Sequence, residues 1–150
     1  MKSIFITIII FPFLLFCSAQ EKKELPKSSD EIIISDGWAR PGKAGMMSAA
    51  YFKIINGTSS ADTLFSVESD ASTNTQIHLS FQNEDGLMSM EEQPYVVIPA
   101  QSEVEFKQGG LHVMIIQPTN DLLEGDSLSL KLFFNSMTKF DLKVPIRSFN

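Results

Sequence analysis

The sequence predicts an all-β fold, a single-domain antiparallel β-sandwich or Greek-key barrel, and three observations carry that prediction. Apolar and polar residues alternate at period two through most of residues 31–147. Turn signals recur between the alternating runs: Asn56-Gly57, Asp85-Gly86, Gly109-Gly110 and Gly125-Asp126. No stretch shows the 3.6-residue repeat of an amphipathic helix, and eight to ten short strands in one domain have to pair as layers around a common core.

The strands follow in order. Residues 32–34 are three isoleucines, and residues 49–55 and 63–67 mix aromatic and β-branched side chains suited to a pleated surface. Residues 76–81 and 87–90 flank Asn83-Glu84-Asp85-Gly86 and read as a hairpin. Residues 95–98 and 104–107 are short runs. In residues 111–117, alternation sends Leu111, Val113 and Ile115 to the core and His112 and Met114 to the other face. Residues 127–134 (SLSLKLFF) put Leu128, Leu130, Leu132 and Phe134 on one face, and Phe140, Leu142, Val144 and Ile146 repeat the pattern. Pro145 lacks an N–H, which assigns the last strand to a sheet edge. Eight phenylalanines remain once Phe5, Phe11, Phe13 and Phe16 are set aside, and with the Ile, Leu and Val they are expected to fill one core.

The first four phenylalanines belong to an N-terminal export signal, residues 1–19: Lys2, an apolar run over residues 4–16, then Ser18-Ala19-Gln20. The run is shorter than the ~20 residues that span a bilayer as a helix. Ser18-Ala19 suits a general signal peptidase, and Leu14-Leu15-Phe16-Cys17 resembles a lipoprotein box, although Phe16 stands where a small residue is preferred. Residues 20–30 (QEKKELPKSSD) read as a polar tether, which favours a lipid anchor at Cys17. The folded domain is then residues 31–150, exported to the bacterial periplasm or cell envelope, with no membrane contact beyond that anchor.

Cys17 is the only cysteine, so the domain has no disulfide and no thiolate for a blue-copper site. From Gln20 onward 11 basic side chains stand against 18 acidic ones, a net −7, which does not suit a nucleic-acid binder. No Gly-x-Ser-x-Gly elbow, phosphate-binding glycine loop or mature-domain thiol nucleophile is present, so an enzyme is not expected.

The two histidines are the chemical signal. His112 and Met114 share a strand face about 6.6 Å apart at Cα, and the hairpin brings His78 towards Met88 or Met90. Imidazole with thioether is a soft donor set that selects Cu(I); zinc sites rarely use methionine, and Ca(II) or Mg(II) would need more oxygen ligands than Glu84 and Asp85. Only the histidines need deprotonation, so Cu(I) affinity is expected to fall below about pH 6.5.

Other features read as structural. Met46 and Met47 are assigned to loop packing, Trp38 and Arg40 to a half-buried Trp stacked on an Arg, Glu91-Glu92 to a solvated edge, and the sequon Asn56-Gly57-Thr58 to a turn.

His78 is followed by eleven residues to Met90, twenty-one more to His112, and one more to Met114. In these intervals the chain resembles the PCu(A)C family of bacterial periplasmic copper chaperones; the first interval selects Met90 over Met88, and Leu79 stands where members often carry Met. Trp38-Ala39-Arg40-Pro41, Ala49-Ala50-Tyr51-Phe52 with Asn56, and Leu123-Glu124-Gly125-Asp126 extend the resemblance over residues 33–146. It implies a cupredoxin-like β-sandwich binding one Cu(I) through His78, Met90, His112 and Met114. It also implies delivery towards the Cu(A) centre of cytochrome c oxidase, with oxidase subunit II or a Sco-type thiol chaperone as acceptor, by a monomer. Residues 146–150 (IRSFN) hold no His or Met, so the second, Cu(II) site of many members is not expected. The alternatives are an envelope copper-sequestering protein without a delivery role and a metal-free β-sandwich binding module.

Overall fold

The computed structural model describes residues 30–149. The export signal, Cys17 and nearly all of the tether lie outside the described residues.

Ten strands form: β1 (Ile32–Ala39), β2 (Met47–Asn56), β3 (Asp62–Ser69), β4 (Asn74–Gln82), β5 (Met88–Glu92), β6 (Val96–Ile98), β7 (Ser102–Phe106), β8 (Leu111–Ile116), β9 (Ser127–Phe134) and β10 (Lys139–Pro145). One sheet runs β1-β2-β8-β4-β5, with β7 also paired to β2; the other runs β10-β9-β3-β6, and every ladder is antiparallel. Every predicted strand and turn is present. Pro145 ends β10, which is an edge strand as its missing N–H requires.

Strand β1 runs five residues past its predicted end. A bulge between Ser35 and Trp38, with Asp36 at φ 55°, absorbs the Asp36-Gly37 interruption and lets Trp38 and Ala39 rejoin the ladder with β2. Gly37 is required by a close approach: a Cβ there would lie 2.5 Å from Val144 Cγ1 of β10.

The inner faces of the two sheets make the core, where Phe52 stacks on Phe106 at 4.5 Å and Leu128, Leu130, Leu132 and Phe134 project in from β9. Phenylalanine contributes less than its count predicts. Among the described residues only Phe52, Phe106 and Phe134 are fully buried phenylalanines; Phe65, Phe81 and Phe149 are exposed, and Phe65 pairs with Phe133 away from the core. Leu, Ile and Val fill the rest because alternation on their strands is regular, whereas Phe133 stands between the inward-facing Leu132 and Phe134 and so points outward.

The sequon asparagine is structural. Asn56 is fully buried, and its amide donates to the carbonyls of Ser60 and Ile98 while its Oδ1 accepts from the Thr58 N–H, tying the β2 turn to β6.

Strand β2 is shared along its length: Met47–Ala50 pairs with β8 and Phe52–Asn56 with β7. The Gly109-Gly110 turn between β7 and β8, with Gly109 at φ 72°, therefore sits beside Tyr51 on the outer face of the larger sheet. That face carries the histidines.

Candidate metal centre

Alternation on β8 buries Val113 and Ile115 completely and turns His112 and Met114 to the outer face. Both are nonetheless covered there, at 6% and 9% exposure. The register explains how. Trp38 pairs with Tyr51, Ala49 pairs with Met114, and His112 pairs with His78, which in turn pairs with Glu92. A transverse row, Trp38, Tyr51, His112, His78, Glu92, thus crosses five strands. Its ring centroids are spaced 4.5, 6.5 and 5.9 Å from Trp38 to His78.

Each imidazole is oriented by a neighbour two residues before it. His112 Nδ1 donates to the Gly110 carbonyl at 3.0 Å, so its Nε2 carries the lone pair. His78 Nε2 donates to Gln76 Oε1 at 3.0 Å, leaving Nδ1, which is buried and without a hydrogen-bond partner. An orphaned buried nitrogen is costly unless something binds it. Desolvation, then repulsion from His112, lowers the His78 pKa below its ordinary 6.5, and Glu92 opposes them.

The methionines flank this pair. Met114 stands opposite Gln76, one step along the face from His112 and His78. Met90 stands opposite Ser80, so it is a diagonal neighbour of His78 on the opposite side of the pair. The hairpin therefore does not set a methionine directly across from His78, as a simple return would; that place is taken by Glu92. Met88 faces Gln82, one pair further away.

Met90, His112 and Met114 line one open depression of about 480 Å³ together with Arg40, Met47, Tyr51, Ser80 and the Gln108-Gly109 turn. His78 is not among its walls; its ring lies 5.9 Å from that of His112. Burial raises the Tyr51 pKa, against the lowering effect of Arg40 and a hydrogen bond with Gln108. Among the described residues no three His, Cys, Asp or Glu side chains are grouped to hold a metal.

Three side chains differ from expectation. Met47 is not packed in a loop: it opens β2, is 58% exposed and lines the depression. Trp38 is buried rather than half-buried, and the guanidinium over it, 4.9 Å from the ring centroid, is that of Arg147. Arg40, just past the end of β1, lies at the depression instead. Glu91 and Glu92 are exposed on edge strand β5, as expected, yet Glu92 also faces His78. Sequence alone gives Gln76 and Glu92 no part in the site; period-two spacing from His78 marks the first, and only the hairpin register reveals the second.

Fold and site together define a small antiparallel β-sandwich with a soft-donor cluster on one outer face. The chain belongs to the LpqE-like family, whose model, described as "Putative lipoprotein LpqE-like", matches residues 32–146. It is 32% identical over 119 residues to "Uncharacterized protein RP573" of Rickettsia prowazekii (strain Madrid E), covering 75% of this chain and 65% of that protein, just under two thirds of its length.

Among solved structures it is similar to "Copper-bound PCuAC domain from PmoF2", with TM-score 0.65 and 19% identity over 79% of this chain and 93% of the domain. It is also similar to "Solution structure of CuI-DR1885 from Deinococcus Radiodurans", with TM-score 0.57 and 18% identity over 84% of this chain and 81% of that one. The resemblance to the PCu(A)C family read from the sequence is borne out in the cupredoxin-like fold.

Proposed function

We propose that the protein is an extracytoplasmic copper chaperone that holds one Cu(I) as cargo between His78, Met90, His112 and Met114. The observation that carries this is the facing pair His78 and His112, whose side chains share one face with a methionine on either side, each ring having one nitrogen outside its hydrogen bond. The fold neighbours named as copper-bound PCuAC and Cu(I)-DR1885 support it.

Four neutral donors leave the ion's +1 charge in place, partly offset by Glu92, and permit its capture by an acceptor that offers thiolates. Delivery towards the Cu(A) centre of cytochrome c oxidase, through oxidase subunit II or a Sco-type thiol protein, is the destination we assign. The export signal lies within residues 1–19 and, as a lipoprotein signal, ends before Cys17, which then carries a lipid anchor ahead of the tether 20–30 in the bacterial periplasm or envelope; the lipoprotein description of the family supports this. The domain, residues 31–150, works as a monomer that binds and transfers, and no catalysis belongs to this reading.

The test is anaerobic Cu(I) titration against a competing chelator, on wild type and on alanine variants of the four ligands. One equivalent, weakened in all four variants, is expected. Absence of stoichiometric uptake by wild type overturns the proposal.

A further inference from the structure

Met47 is a costly residue for its position. It projects from the first position of β2 with 58% of its surface exposed, although it borders a depression already walled by Met90, His112 and Met114. Its backbone is fixed: Gln117 N–H donates to the Met46 carbonyl at 3.1 Å, Met46 N–H to the Lys43 carbonyl at 3.0 Å, and Arg40 Nη2 to the Met47 carbonyl at 3.4 Å. The side chain, with three rotatable bonds and a polarisable sulfur, is left free over that anchored base. Register places it opposite Ile116 while Ala49 stands opposite Met114, so Met47 and Met114 are diagonal neighbours on the same face. Such neighbours are about 7–8 Å apart and within reach of long side chains. Between them exposure drops from 58% to 9%.

We infer that Met47 is a transit ligand, the thioether through which Cu(I) enters and leaves the depression. This rests on the copper-binding reading above. Cu(I) arrives with an outside donor and bonds to the Met47 sulfur while that donor is still attached. The donor leaves as Met114 binds, the Met47–Cu bond breaks as His112 binds, and release runs the same steps backwards. The ion stays +1 throughout, and no electron or proton moves. Cu(I) accepts two to four ligands, so each exchange can proceed without a bare ion. Ala49, the residue between Met47 and Tyr51 on this face, is small and leaves the route open.

The experiment compares Met47→Leu with Met46→Leu by stopped-flow mixing. Met46 is similarly exposed but does not border the depression. Loading from a Cu(I) chelate and unloading to excess chelator are both read, together with the equilibrium affinity. Met47→Leu is expected to slow both directions by about tenfold, equivalent to ~1.4 kcal/mol on the exchange barrier, while their ratio holds. Met46→Leu is expected to match wild type. Wild-type rates in Met47→Leu overturn the transit role and leave the four-ligand site standing. A tenfold loss of affinity at an unchanged loading rate also overturns it, making Met47 a resident ligand. Failure of wild type to take up Cu(I) overturns both readings.

Discussion

His78 and His112 are directly opposed in the β4–β8 ladder, their rings 5.9 Å apart and tilted by 49°. Each is held by one hydrogen bond from a nitrogen, and each offers its other nitrogen: Nδ1 of His78 and Nε2 of His112. The tautomers are therefore set by the strands themselves, through residues two positions upstream. Two imidazoles facing across one ladder, each with one nitrogen outside its hydrogen bond, are the half of the proposed copper site that the strands already arrange.

Gln76 is the residue on which the His78 tautomer depends. Replacing it with Ala frees Nε2 and removes the preference for a bare Nδ1. Loss of such an outer partner typically costs about 10–100-fold in metal affinity. Gln76→Ala is expected to weaken Cu(I) binding by about tenfold or more at unchanged stoichiometry, measured by chelator competition. Unchanged affinity would mean that His78 needs no orientation from Gln76.

The lowered His78 pKa has a consequence for the metal-free protein. Below the unfolded value of about 6.5 the unfolded chain takes up a proton at this residue more readily than the folded one, so stability rises with pH in that window. It is fully present above the unfolded pKa and is lost as pH falls through the folded one. Burial is the leading cause, followed by His112, and Glu92 opposes both. The NMR titration of the His78 ring is expected to have a midpoint below 6.5, and Glu92→Gln should move it lower still. A midpoint raised by Glu92→Gln would contradict the arrangement.

Much of this was legible in sequence because period-two alternation is a direct record of which face a strand residue occupies. SLSLKLFF shows its buried leucines in the letters, and His112 and Met114 announce a shared face in the same way. What alternation does not record is register. That Glu92 rather than a methionine faces His78, and that Arg147 rather than Arg40 covers Trp38, depends on pairings between segments distant in the chain. Met47 is hidden for another reason: Gly45 and the following turn make it look like a loop residue, although β2 begins on it.

The β1 bulge makes a steric prediction independent of copper. Gly37→Ala would set a methyl 2.5 Å from Val144 Cγ1, and Val144 is itself fully buried. The neighbour has nowhere to move without disturbing the core. Overpacking of this kind costs about 1–3 kcal/mol. Urea unfolding is expected to show a loss of that size, and a Gly37→Ala protein as stable as wild type would mean that β1 and β10 can separate freely.

Met90 and Met88 share a face of β5 and are exposed to similar degrees, 57% and 66%, so neither is held in place by the core. Substituting either with Leu keeps the size and apolar character of the side chain and removes only the sulfur, and the fold should not register the change. The ladder distinguishes them. Met90 pairs with Ser80, the next residue to His78 on its face, whereas Met88 pairs with Gln82, a further step of about 6.6 Å along the strand. A thioether that far from the histidine pair cannot share an ion with it unless the hairpin slips by two residues, which would break the whole β4–β5 pairing from His78–Glu92 to Gln82–Met88. Met90→Leu is therefore expected to lower Cu(I) affinity by about tenfold, or ~1.4 kcal/mol, and Met88→Leu to leave it within about twofold. Equal losses in the two variants would show that the hairpin's sulfurs are interchangeable and that the β4–β5 register does not select the ligand.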